Sequence, residues 1–155
     1  MGRNVRKRID WIHMKLIKDS VAFVIYGSSR SNLLVVRRPF DDDSLPGMWG
    51  LPAGTLKEGE SYSQCVLRAG REKLGVELKI VNEIGEDELD REDYFLHLID
   101  YEATIIKGIP SVRQYVEGVT QYTDFIWSSP DILTESARNG SLCSRIFLDK
   151  LNIKW

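Results

Sequence analysis

The sequence predicts an α+β fold in which helices pack on the faces of a mixed β-sheet. Two observations carry that expectation: β-rich runs occupy most of the first four-fifths of the chain around one central helix, and helical segments close it. A third narrows it, because neither GxGxxG nor GxxxxGK followed by Ser or Thr occurs, which argues against a conventional dinucleotide or P-loop fold.

Residues 1–18 admit two readings. Val5, Ile9, Ile12 and Leu16 fit one face of a helix, whereas Ile12, Met14 and Leu16 fit the alternation of a strand. From Ser20 the pattern sharpens into a hairpin, with strands at Val21 to Tyr26 and Leu33 to Arg38 around a turn from Gly27 to Asn32. Pro39, Pro46, Gly47, Gly50, Pro52, Gly54 and Gly59 predict a long, shaped loop over 39–60. A helix follows over 62–74: Ser61 and Gln64 form a capping box, Glu60 suits the positive end of the dipole, and Gly75 supplies the stop. Strands are expected near 76–84, 94–106 and 112–127, with the charged stretch Glu86 to Asp93 as a break. Ser129, Pro130 and Asp131 read as the start of a helix that Gly140 closes, before a last helix over 141–151.

A chain of 155 residues fits one domain, 1–155, that needs neither metal nor disulfide to fold. With 43% hydrophobic and 28% charged residues it has the composition of a soluble globular protein. A net charge of −2 gives no broad preference for nucleic acid or anionic lipid, and only the first eighteen residues, with Arg3, Arg6, Lys7, Arg8, Lys15 and Lys18, are distinctly basic. Cys65 and Cys143 lack any zinc or disulfide spacing and read as buried thiols. No apolar run approaches the roughly 20 residues that span a bilayer, and the start lacks a secretory signal, so the cytoplasm is the expected location. Met1-Gly2 opens like a myristoylation site, but Arg6 stands where Ser or Thr is required.

The informative segment is Gly54 to Val76, in which Gly54, Glu60, Arg68, Glu72, Gly75 and Val76 keep a fixed spacing. It resembles the Nudix box of diphosphate hydrolases, and Pro46 to Ala53 resembles the family's approach to that box. With the hairpin and the tail, the similarity extends over most of the chain. The resemblance implies a Nudix-type α/β/α sandwich built around the box loop and helix. It also implies cleavage of the diphosphate bond of a nucleoside diphosphate linked to another moiety, or of a nucleoside triphosphate, with Mg²⁺ or Mn²⁺ as cofactor. Acids at helix offsets i, i+3 and i+4, here 69, 72 and 73, project from one face and hold such hard cations, which bridge phosphates and activate water.

At that face the sequence departs from the family. Ala69 and Lys73 replace two acids, so the formal charge over the three positions is 0 instead of −3. An ammonium about 5 Å from a cation opposes each unit of its charge by roughly 3 kcal/mol at an effective dielectric near 20. The set is expected to hold one ion or none, and Lys73 could itself contact a phosphate. Gly70 stands where the family has an apolar side chain, which points to relaxed constraint or a close backbone approach.

On this reading Glu72 and Glu60 are the candidate metal ligands, and Arg68 orients Glu72 from four residues away. Glu60 also has a bland role at the helix N-terminus. Glu117 resembles a loop carboxylate that some Nudix enzymes recruit as an extra ligand or base; the competing reading is a solvated glutamate. Gly54, Arg37, Arg38, Trp49 and Tyr94 are the candidate substrate-binding residues. Arg37 and Arg38 leave their strand on opposite faces, so at most one easily reaches a phosphate. Trp49, Phe40, Tyr94 and Tyr122 either stack on a base or belong to the core. Tyr94 also lies near where family members that cleave dinucleoside polyphosphates carry a tyrosine. A nucleotide-binding sensor that has lost its chemistry is the rival function, and a basic N-terminal arm holding RNA or a protein is a third. The family often dimerises, so a homodimer is compatible with the resemblance.

Overall fold

The computed structural model describes residues 8–112, 115–119 and 121–155. Its central strand is β2, Lys15–Val24, whose Val21 to Val24 are wholly buried on both faces. One edge of β2 pairs in parallel with β7 (Tyr94–Lys107). The other pairs antiparallel with β1 (Arg8–Asp10) and β5 (Ala53–Thr55), which share it end to end. β6 (Glu77–Asp90) completes this sheet beside β7. A second, antiparallel sheet has the order β4 (Trp49–Gly50), β3 (Leu33–Arg37), β8 (Asp124–Ser128). Helix α1 (Tyr62–Ala69) buries Cys65 and Val66 against Val21, Phe23 and Ile99 on one face. On the other, α2 (Thr134–Arg138) and α3 (Leu142–Lys150) bury Ala137, Phe147 and Leu148 with Ala22, Val24 and Leu98. Strands with alternating buried sides therefore carry two apolar clusters, and the mixed-sheet α/β/α sandwich expected from the sequence is the fold.

Several boundaries differ from expectation. The described part of the N-terminal segment is a β1–β2 hairpin, not a helix: the Asp10 carboxylate accepts from the amides of Ile12 and His13, and Met14 turns the chain at φ 55°. Arg3, Arg6 and Lys7 lie outside the described residues. The hairpin expected over 21–38 forms only at its tip, where the Gly27 amide donates to Asn32 and the Leu34 amide to Ile25, both at 2.9 Å; its arms then enter different sheets. The loop 39–60 contains two short strands, β4 and β5, because each finds an open strand edge. Among the described residues of the strand expected over 112–127, only those from Asp124 on are strand, in β8; residues 113, 114 and 120 lie outside the described residues.

The acidic stretch does not end β6, which continues to Asp90. As an edge strand it leaves its charges in solvent or pairs them, Asp90 with Lys15 at 2.6 Å and Glu86 with His97 at 2.7 Å. The helix expected from Ser129 splits into a 3-10 turn, Pro130–Leu133, and α2, and Ser129 makes no side-chain cap. The Ser61–Gln64 capping box is present. The last turn after α1 widens into a π-helical turn, Gly70–Leu74, which Gly75 closes at φ 67°. Gly70 is a close approach: a Cβ there would lie 2.6 Å from Leu78 Cδ1.

Candidate functional site

The strand-loop-helix that runs from β5 into α1 and its π-helical turn sets the site. Gly54 lies in β5 opposite Val21, where a Cβ would meet Ala69 Cβ and Cys65 Sγ at 3.3 Å each, so glycine lets α1 sit down on the strand. Arg68, in the last turn of α1, gathers the retained acids. Its Nε donates to Glu60 Oε2 at 2.7 Å, its Nη2 to Glu60 Oε1 at 2.9 Å and to the Thr55 carbonyl at 2.9 Å, and its Nη1 to Glu72 Oε2 at 3.2 Å. Burial pushes the Glu60 carboxyl up, but the Arg68 guanidinium and the Lys57 amide outweigh it and hold it below its usual value. Hydrogen bonding to Glu60 in turn raises Arg68. Lys57 Nζ stands 4.0 Å from the other oxygen of Glu72, so two carboxylates face two cations.

Beside this cage a cleft of about 250 Å³ opens between β2, β5, β7 and the start of α3. Four cations, Lys18, Arg38, Lys73 and Arg91, line it, and among the described residues no Asp or Glu does. Arg38 is balanced by Asp42 at 3.0 Å, whose carboxyl burial pushes up but Arg38 and loop amides pull down to about 2. The other three rest on neutral partners. Lys18 Nζ lies 4.5 Å from the Tyr94 ring centroid, Arg91 Nη2 donates to the Gly140 carbonyl at 2.9 Å, and Lys73 Nζ donates to the Ala53 carbonyl at 2.5 Å. Tyr122 completes that corner: its ring is 5.2 Å from Lys73 Nζ, and its hydroxyl accepts from the Ala53 amide at 3.0 Å. The neighbouring depression, lined by Asp41, Asp42 and Asp43, has the opposite sign.

The structure thus brings Glu60, Arg68 and Glu72 together in the cage, and Gly54, Arg38 and Tyr94 together in the cleft. Arg37 and Arg38 do leave their strand on different sides: Arg37 donates to the Gly47 carbonyl at 3.0 Å and stacks near Phe40 and Trp49, away from the cleft. Trp49 packs against the α2–α3 side of the core, and Glu117 is exposed in a turn and does not line the cleft. Sequence reasoning missed Lys18 and Arg91. They are 73 positions apart, and only the parallel β2–β7 register, with Leu16 opposite Tyr94, places them at one opening. It missed as well that Ala53, through its carbonyl, is the anchor for Lys73.

A sandwich in which a close-packed glycine strand, a capped helix and an arginine that clusters acids follow one another has the architecture of one known class of domain. The chain belongs to the Nudix family, whose NUDIX domain profile matches residues 16–138. No curated protein matches it significantly. Solved structures share the fold at low identity. The E. coli ORF135 protein is 21% identical with a TM-score of 0.65, over 90% of this chain and 95% of that one. A MutT protein from Methanosarcina mazei is 18% identical with a TM-score of 0.67, over 90% and 98%. The NUDIX domain of Shewanella oneidensis NrtR, solved in complex with ADP ribose, is 18% identical with a TM-score of 0.61, over 94% and 92%.

Nudix hydrolases generally use divalent metals. The donor set here does not fit one. Glu72 faces Arg68 and Lys57 and does not line the cleft, both oxygens of Glu60 are engaged by Arg68, and Ala69 offers no ligand. Among the described residues no three His, Cys, Asp or Glu side chains converge. No helix of the described residues is long and apolar enough to cross a membrane.

Proposed function

We propose that this Nudix domain binds a nucleoside diphosphate derivative in the cleft without relying on multi-metal hydrolysis. The observation that carries the reading is the lining of that cleft, with four cations and no carboxylate among the described residues. A diphosphate supplies the complementary charge, and the Tyr94 and Tyr122 rings with Leu98 and Leu142 supply an apolar wall for the remainder of the ligand. The relative solved with ADP ribose makes that compound the natural first probe. In this role Gly54 admits the helix, Arg38 and Tyr94 line the ligand, and the Glu60–Arg68–Glu72 cage fixes the wall. The cytoplasm is the compartment where such ligands would be met.

Hydrolysis is the second reading, favoured by the intact Arg68 bridge to Glu60 and Glu72. There Glu72 is the residual acid of the reaction and Glu117 an added carboxylate. Calorimetry with ADP ribose, alongside turnover of a panel of nucleoside diphosphate derivatives and triphosphates with Mg²⁺ or Mn²⁺, separates the two. Saturable binding with no turnover is expected. Metal-dependent turnover abolished by Glu72→Gln would establish the hydrolase, and absence of both binding and turnover would refute both.

A further inference from the structure

The corner of the cleft that faces Gly54 has its own fixed cation. Lys73 leaves the π-helical turn, where the backbone is wider than in α1, and its Nζ is pinned on the Ala53 carbonyl at 2.5 Å beside the Tyr122 ring. The Tyr122 hydroxyl also donates to that carbonyl at 3.3 Å, so the oxygen a metal ion could use is engaged twice. An ammonium has three donors, and one is spent on Ala53. Lys73 nonetheless lines the cleft, so its remaining N–H groups are placed for an incoming oxyanion.

We infer that the Lys73 ammonium, held on the Ala53 carbonyl, serves as the built-in cation of this cleft, so that a diphosphate is bound directly by the protein and independently of divalent metal. The inference rests on the binding reading above and specifies its chemistry. Lys18 and Arg91, whose partners are an aromatic face and a carbonyl, add positive charge at the same opening. A divalent ion at this corner would have to displace Lys73 from Ala53, and would meet the repulsion of these cations without a converging set of carboxylates. Charge-assisted N–H···O bonds to phosphate need no such ion.

The test is calorimetric titration of inorganic pyrophosphate and of ADP ribose, each in chelator and in excess Mg²⁺, into wild type, Lys73→Met and Lys73→Glu. Mn²⁺ alone is titrated in parallel and followed by electron paramagnetic resonance. Wild type should bind both ligands in chelator, and Mg²⁺ should not tighten either. Lys73→Met should weaken both in chelator by about tenfold or more, the loss expected for a hydrogen bond to a charged group. Lys73→Glu should abolish chelator binding, and wild type should take up no Mn²⁺ at this corner. Binding by wild type only when Mg²⁺ is present would overturn the inference while leaving the binding reading intact, and needs no variant to fold. So would a folded Lys73→Met that binds as wild type in chelator. If wild type binds neither ligand in either condition, the binding reading itself fails and this inference with it.

Discussion

Asp100 and Asp19 are both buried aspartates on central strands, and opposite surroundings push their pKa values in opposite directions. Asp100 has no exposed surface, and neither of its oxygens has a hydrogen-bond partner among the described residues. Burial raises its pKa well above the ordinary carboxylate value. Asp19 is also buried, which alone would raise it, but hydrogen bonds from His97, Arg8 and Tyr62 outweigh that and hold it far below its usual value. Nothing local in the sequence distinguishes the two; His97 reaches Asp19 because the parallel register sets them opposite each other, 78 positions apart. The pH consequence follows from the sign. A raised folded-state pKa means the folded chain keeps the Asp100 proton after the unfolded chain has released it. Stability then falls as pH rises above the unfolded value, at about 1.4 kcal/mol per pH unit, until the folded group ionises. Asp100→Asn keeps the shape and removes the titration. Its melting temperature between pH 5 and 8 should fall less steeply than that of wild type, and equal slopes would show that Asp100 is ionised and paired. His97 falls away on the alkaline side too: its hydrogen bond to Asp19 raises its pKa, so its contribution is complete below about 6.5 and is lost as pH passes the raised value.

The helix that carries the box shows which features of an element are written locally and which are not. Its start was legible, because Ser61 and Gln64 satisfy each other's backbone amides within four residues, and its end was legible because Gly75 must adopt positive φ. Its widened last turn was not, and neither was the close approach of Gly70 to Leu78 of β6 within it. For an isolated helix Gly70→Ala would be favourable by about 1 kcal/mol. In this protein the added methyl would lie 2.6 and 2.8 Å from Leu78 Cδ1 and Cγ, so the side chain or the strand beneath it must move. Overpacking of that kind costs about 1–3 kcal/mol, and the expected net effect is a lower urea midpoint with unchanged slope. Pairing it with Leu78→Ala makes room for the methyl, so the double variant should be less destabilised than the sum of the two singles. Additive effects would mean that Gly70 is not held by this contact. The extent of β6 was misread for a related reason: acids end a strand only where they would be buried, and an edge strand leaves them in solvent.

At the scale of the whole molecule the sandwich was legible from the alternation of buried and exposed residues and from the order of elements, whereas the cleft was not. Its cations come from β2, the residue just after β3, the π-helical turn and the β6–β7 connection, and the chain's net charge of −2 conceals them. A local excess of positive charge on a weakly acidic protein has a measurable signature, because exposed parts of the interaction are screened over about 8–10 Å at physiological salt. Pyrophosphate affinity in chelator should therefore weaken as NaCl rises, and the double substitution Lys18→Met/Arg91→Met should both weaken binding and flatten that dependence. Ligand binding also adds to stability by mass action, about 2.7 kcal/mol at one hundred times the dissociation constant. For a chain of this size that corresponds to an increase in melting temperature of about 5–10 °C. The increase should persist in chelator and shrink in the double variant, as read by thermal melts across ligand concentrations. A salt-independent affinity, or an unchanged response in the double variant, would mean that the ligand does not enter between these cations, and that the charge of the cleft serves the fold instead.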